Sequence, residues 1–190
     1  VMDADAALVS RTLAGELGAF EQLVERHRDV VYRLAARVVG PEDAEDVAQD
    51  AFLRAFHRLP QFRRESAFRS WLLRITHNTA LNALVRRRVL PVEDVEERAA
   101  VSQGARPHRT PAEELEVGER RERLAAKLRL LQPSHRAVLV LRDLEGFSYE
   151  EIAEVTEAPL GSVKGRLHRA RRELIELLRN NTYDWELPAA

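Results

Sequence analysis

Apolar residues recur along this chain at spacings of three and four and almost nowhere at two, so the pattern predicts helices throughout. The clearest stripe is Val163, Leu167, Ala170, Leu174, Leu177 and Leu178, one face of a helix beginning near Leu160. Ahead of it, Ser148 followed by Glu151 is a capping box, so a shorter helix begins at Tyr149. Ile152 and Val155 give that helix its apolar face, and Thr156-Glu-Ala-Pro159 stops it. Opposite the long stripe lie Gly161, Ser162, Gly165, His168, Arg169 and Arg172, with Lys164 and Arg171 on the flank. Two helices joined by a tight turn, the second with a cationic outer face and small residues near its start, describe a helix-turn-helix. Arginine and lysine there can neutralise phosphates or fork onto guanine edges. The alternative is an amphipathic surface helix with a solvated basic face; the capped helix and turn in front favour DNA binding.

The N-terminal half gives a helical bundle. Asp5 can cap a short helix carrying Leu8, Val9 and Leu13, closed by Gly15 and Gly18. Phe20, Leu23, Val24, His27, Val31, Leu34 and Val38 share one face of the next helix, which Gly40-Pro41 ends. From Glu42 to Leu59 the buried stripe is Ala44, Val47, Ala48, Ala51, Phe52, Ala55 and Leu59. Its first turns are acidic, as the helix dipole favours, and Asp46, Gln49, Asp50 and Leu53 gather on the outer face in an arrangement suited to docking another protein. Between Gln61 and Arg88, Phe62, Arg63, Arg64, Phe68, Arg69, Trp71, Arg74, Arg86 and further cations accompany a single acid, Glu65. Aromatic faces among arginines suit unstacked bases and a phosphate backbone, and Asn78 and Asn82, one turn apart, could read base edges. The competing reading makes Phe68, Leu72, Ile75 and Leu84 core with a solvated basic rim.

Periodicity fails from Val89 to Glu119, where acids dominate and Pro91, Pro107 and Pro111 interrupt any helix. This reads as a flexible acidic linker. Fully stretched, Pro91 to Glu114 reaches about 80 Å at roughly 3.4 Å per residue, enough for two heads to touch DNA sites about two helical turns (~70 Å) apart. Beyond it, Leu124, Leu128 and Leu131 share one helix face, and Pro133 opens another helix carrying Val138, Leu139 and Leu141. The pattern therefore gives an all-α chain of two small helical domains: a bundle at 3–90, a linker at 91–117, a helix-turn-helix domain at 118–179 and a tail at 180–190.

Composition excludes more than it assigns. The chain of 190 residues has no cysteine, so neither disulfides nor a thiolate metal site hold it together, and its six histidines are scattered without ligand spacing. No cofactor is expected, and no convergent nucleophile, base, metal set or Gly-rich phosphate loop points to an enzyme. Neither a signal peptide nor a membrane-length apolar run is found, so a soluble cytoplasmic protein without direct membrane insertion is expected. The net charge of −1 hides a segregation of acids and bases along the chain.

Three blocks together resemble a family: Asp43-Ala-Glu-Asp-Val-Ala-Gln-Asp-Ala-Phe-Leu-Arg-Ala-Phe56, then Phe68-Arg-Ser-Trp-Leu-Leu-Arg-Ile75 with Asn78 and Asn82, then Gly161-Ser-Val-Lys-Gly-Arg-Leu-His-Arg-Ala-Arg-Arg172. In order and spacing they are similar to the extracytoplasmic-function (ECF, group 4) bacterial sigma factors of the sigma-70 family. The resemblance implies that the first domain is sigma region 2 and the last is region 4. It implies that Asp46, Gln49, Asp50 and Leu53 grip the β′ clamp coiled coil of core RNA polymerase, with the β flap a second contact. Arg63, Arg64, Phe68, Arg69, Trp71, Arg74, Asn78, Asn82 and Arg86 would then meet the single-stranded −10 element. Ser162, Lys164, Arg166, His168, Arg169 and Arg172 would face the −35 duplex. The family also implies an anti-sigma factor as partner, and a linker that threads the RNA exit path. Gly165 stands where the family usually has serine, and Ser162 replaces a common threonine. The alternative function is a helix-turn-helix regulator whose N-terminal bundle senses a signal or dimerises; such a regulator would shift duplex DNA unaided.

Overall fold

The computed structural model describes residues 4–89 and 111–179, and among these there are helices and turns but no strand. The linker acids Glu93, Asp94, Glu96 and Glu97, with the rest of 90–110, and the tail 180–190 lie outside the described residues. Eight α-helices follow in order: α1 (Ala4–Leu13), α2 (Leu17–Val39), α3 (Pro41–Arg58), α4 (Phe68–Val89), α5 (Pro111–Leu130), α6 (Pro133–Leu139), α7 (Tyr149–Thr156) and α8 (Leu160–Arg179). Helix α2 packs against α1, α3 and α4 to make the first bundle, and α6 packs against α8 in the second.

The expected stripe of α2 is the bundle's spine: Leu23, His27, Val31, Leu34 and Val38 are all buried. Gly40 both ends α2 and precedes α3. Its φ of +105° suits glycine, and an added Cβ would run into the Glu42 carboxylate. Pro41 follows at the first position of α3, where its missing N–H costs nothing. Asp5 differs from expectation. It lies inside α1 rather than capping it, buried, with Oδ1 accepting from Arg26 Nη1 at 2.6 Å and Oδ2 lying 2.9 Å from His27 Nε2. Gly15 (φ +97°) turns the chain after α1, whereas Gly18 sits in the first turn of α2 and closes nothing.

In the second bundle α5 starts at Pro111, inside the stretch read as linker, because proline at a first helical position begins a helix rather than interrupting it. Helix α6 widens into a π turn at Val140–Leu144. Gly146, with φ +73°, then redirects the chain, and Arg142 Nη1 fixes the turn by donating to the Phe147 carbonyl at 2.7 Å. The capping box is formed as read: Glu151 N donates to Ser148 Oγ at 3.1 Å and Ser148 N to Glu151 Oε2 at 2.8 Å. Helix α7 ends on Glu157 in the left-handed region (φ 50°), a conformation that a non-glycine residue seldom adopts.

The bundles touch. Helix α7 packs on α4, and α6 on α2. Buried Arg136 binds both: it donates to the carbonyls of Arg37 and Val38 at the end of α2, and to those of Arg129 and Leu131 at the end of α5. Last-turn carbonyls have no partner within their own helix, and leaving such a group buried and unsatisfied costs about 1–3 kcal/mol. A cation also suits two helix C-termini.

Candidate nucleic-acid interface

Three surfaces carry the residues singled out in the sequence. On α3, Asp46 and Gln49 are exposed, Asp50 is half-buried, and Leu53 is 61% exposed. Their spacing of three and four puts them on one face. Asp50 is held by Arg54 Nε at 2.8 Å, a bond that raises the Arg54 pKa. Phe56, one turn beyond Leu53, is exposed too and meets Phe20 edge-on at 4.9 Å between ring centres. The face is therefore acidic at one end and apolar at the other.

The second surface is the start of α4 with the loop before it. A pocket of about 390 Å³ is lined by Gln61, Phe62, Arg63, Glu65, Ser66, Ser70, Trp71, Arg74 and Glu154. Phe62 and Trp71 lie 5.0 Å apart and build its aromatic wall. Continuing along α4, Asn78 and Asn82 line a second groove of about 300 Å³ with Arg54 and Arg58 of α3. Arg74, Asn78 and Asn82, spaced by four, make one track linking the two hollows. Arg86 is exposed one turn further on.

Not every expected strand residue belongs to this track. Phe68 is 2% exposed and packs among His27, Phe62 and Trp71, so it is core and offers no face to a base. Trp71 is 7% exposed and contributes a pocket wall rather than a protruding ring. Arg64 adopts a left-handed conformation (φ 59°) and turns back to α1, where Nη2 donates to Ser10 Oγ at 2.7 Å. Arg69 lies 4.2 Å over the Phe147 ring. Ser66 and Ser70 fall within the Arg63 to Ser70 stretch that the family resemblance sets beside the −10 base, whereas Gln61, Arg54 and Arg58 were not singled out. The last two were legible in principle, as cations four apart on the polar side of α3.

The third surface is α8. Val163, Leu167 and Ala170 are buried against the second bundle, which turns Ser162, Lys164, His168, Arg169 and Arg172 to solvent and leaves Arg166 half-buried. Arg171, on the flank, is committed elsewhere: its Nε donates to Asp143 Oδ2 at 3.0 Å and its pKa is raised by that bond. Among the described residues no group of three or more acids or histidines could hold a metal ion, and no helix is long and apolar enough to cross a membrane.

The family model described as Sigma-70 region 2 matches residues 23–89, and that described as Sigma-70, region 4 matches 121–174. The chain is 39% identical over 177 residues to the ECF RNA polymerase sigma-E factor of Haemophilus influenzae, covering 90% of this chain and 93% of that one. Against the ECF RNA polymerase sigma-E factor of Escherichia coli K12 the identity is 37% over 175 residues, with 90% and 92% covered. Among solved structures, CnrH in complex with the cytosolic domain of CnrY superposes with a TM-score of 0.69 at 31% identity, over 95% of this chain and all of that one. With two sigma-70 regions in order and relatives matched over nearly their whole length, the chain belongs to the ECF sigma factors of the sigma-70 family and directs promoter-specific transcription.

Proposed function

We propose a division of labour among the three surfaces. The outer face of α3, with Asp46, Gln49, Asp50 and Leu53, docks on core RNA polymerase. The α4 track takes the unpaired −10 strand: the pocket beside Trp71 receives a base, Arg63 and Arg74 meet phosphates, and Asn78 and Asn82 read edges on the next turn. The open face of α8, with Ser162, Lys164, Arg166, His168, Arg169 and Arg172, enters the −35 duplex. Such a factor positions and separates strands and does no covalent chemistry.

The observation that carries this reading is the pocket itself. On its α4 side Phe62 and Trp71 form an aromatic wall beside Arg63 and Arg74, the chemistry that an unstacked nucleotide requires. An anti-sigma factor is the further partner in this reading. Its support is that CnrH, the similar structure, was solved with another protein's cytosolic domain.

The docking assignment is tested by substitution. Asp50→Arg together with Leu53→Ala should stop co-elution with core polymerase while the far-ultraviolet circular dichroism stays that of the parent. Normal holoenzyme assembly by this variant would remove α3 as the docking face.

A further inference from the structure

One end of the α4 track, at Arg74 and Asn78, is contacted in this structure by another part of the same chain, while Asn82 and Arg86 stay exposed. Helix α7, laid across α4, carries Glu150, Glu151 and Glu154 and ends on Glu157. Glu154 lines the same pocket as Arg63, Trp71 and Arg74. Glu157 Oε2 accepts from Asn78 Nδ2 at 3.1 Å, and its Oε1 lies 3.9 Å from Arg74 Nη1. Arg69 rests on the π-face of Phe147, 4.2 Å from its ring centre. An anion on Arg74 and an acceptor on Asn78 are what a single strand would bring to these side chains. The carboxylate of Glu157 is aimed at them from a left-handed backbone position that glycine would hold without strain.

This contact is fastened away from the track. Arg33 of α2 donates twice to Glu145, Nε and Nη2 each at 2.9 Å, and the Glu145 side chain is only 8% exposed. Water screens that pair less than it would an open surface bridge. Meanwhile Asp46, Gln49 and Leu53 on α3, and Lys164, His168 and Arg169 on α8, stay exposed.

We propose that the acidic face of α7 stands in for the unpaired promoter strand: in the isolated chain Glu154 and Glu157 occupy the α4 track, and a strand gains it only when the bundles part. This rests on the reading of α4 as the strand site. Apparent strand affinity is then the intrinsic affinity scaled by the open fraction. Opening should raise it about tenfold, within the ~5–150-fold typical of coupled sites.

The absence of cysteine makes the test direct. In the full chain, Gln22→Cys and Glu176→Cys on exposed helix faces carry a dye pair for energy transfer. Anisotropy of a fluorescein-labelled 15-nucleotide single strand of mixed sequence reads binding. Two opened variants are compared with the parent: Glu154→Gln with Glu157→Gln, which removes the competing charges, and Arg33→Glu, which breaks the fastening outside the track. Circular dichroism checks that both remain folded. The expected result is lower transfer in both, about tenfold tighter strand binding, and loss of that gain when Arg74→Ala is added. Unchanged transfer, or lower transfer with unchanged strand affinity, overturns the proposal. A gain indifferent to Arg74→Ala overturns it as well and also sinks the strand reading, whereas unchanged transfer leaves that reading standing.

Discussion

His77 sits in the middle of α4, 4% exposed, with neither ring nitrogen satisfied by a hydrogen bond. Burial lowers its pKa below the ordinary histidine value; Arg166 adds to the shift, while Asn78 and Glu157 oppose it. His27 is likewise lowered, chiefly by burial, with Asp5 opposing. As pH falls through about 6.5 the unfolded chain protonates while the buried rings resist, so the unfolded state binds more protons and stability falls. Thermal melts should therefore show Tm dropping from pH 7.5 to 5.5. His77→Leu should flatten that drop without lowering Tm at pH 7.5, because it removes an orphaned polar group; a slope equal to the parent's would contradict this. The burial that traps His77 also explains what the sequence hid. Ser70 to Leu73, Ile75 to His77, Thr79 and Ala80 are all buried, because α2, α3 and α7 surround most of α4. A helix covered on nearly every side shows no clean apolar stripe, so Phe68 could not be told from a strand-facing aromatic by spacing alone.

At the scale of elements, legibility followed local chemistry. The Ser148–Glu151 box fixed the start of α7, and three-four spacing fixed the stripe of α8, because caps and faces are properties of neighbouring residues. The π turn after α6 left no such mark: Val138, Leu139 and Leu141 are buried as expected, but nothing local announces the wider ring that follows. Gly165 lies inside α8, where glycine lowers helix propensity. Its added Cβ would meet nothing closer than Arg169 Nη2, at 3.8 Å. Gly165→Ala should thus stabilise the helix by up to about 1 kcal/mol, a rise of roughly 2–4 °C in a chain of this size, measured by calorimetry. A lower Tm would show that the helix needs glycine there.

For the whole molecule, the bundles and their order were legible, and their mutual packing was not. Arg33 and Glu145 are 112 residues apart and Asn78 and Glu157 are 79 apart, beyond the reach of any periodicity. Nor does one arginine among many announce that Arg136 will hold the ends of α2 and α5 together. The order of basic, aromatic and acidic blocks nonetheless pointed to a track for single strand and a face for duplex. In the proposed function, polymerase docking delivers the α4 track to a melted −10 segment. The direct measurement is permanganate reactivity of thymines on a promoter selected in vitro with reconstituted holoenzyme. The parent chain should give reactive thymines around −10, and Arg74→Ala with Asn78→Ala and Asn82→Ala should lose most of that signal while still assembling with core polymerase. Full reactivity from the triple variant would contradict the account.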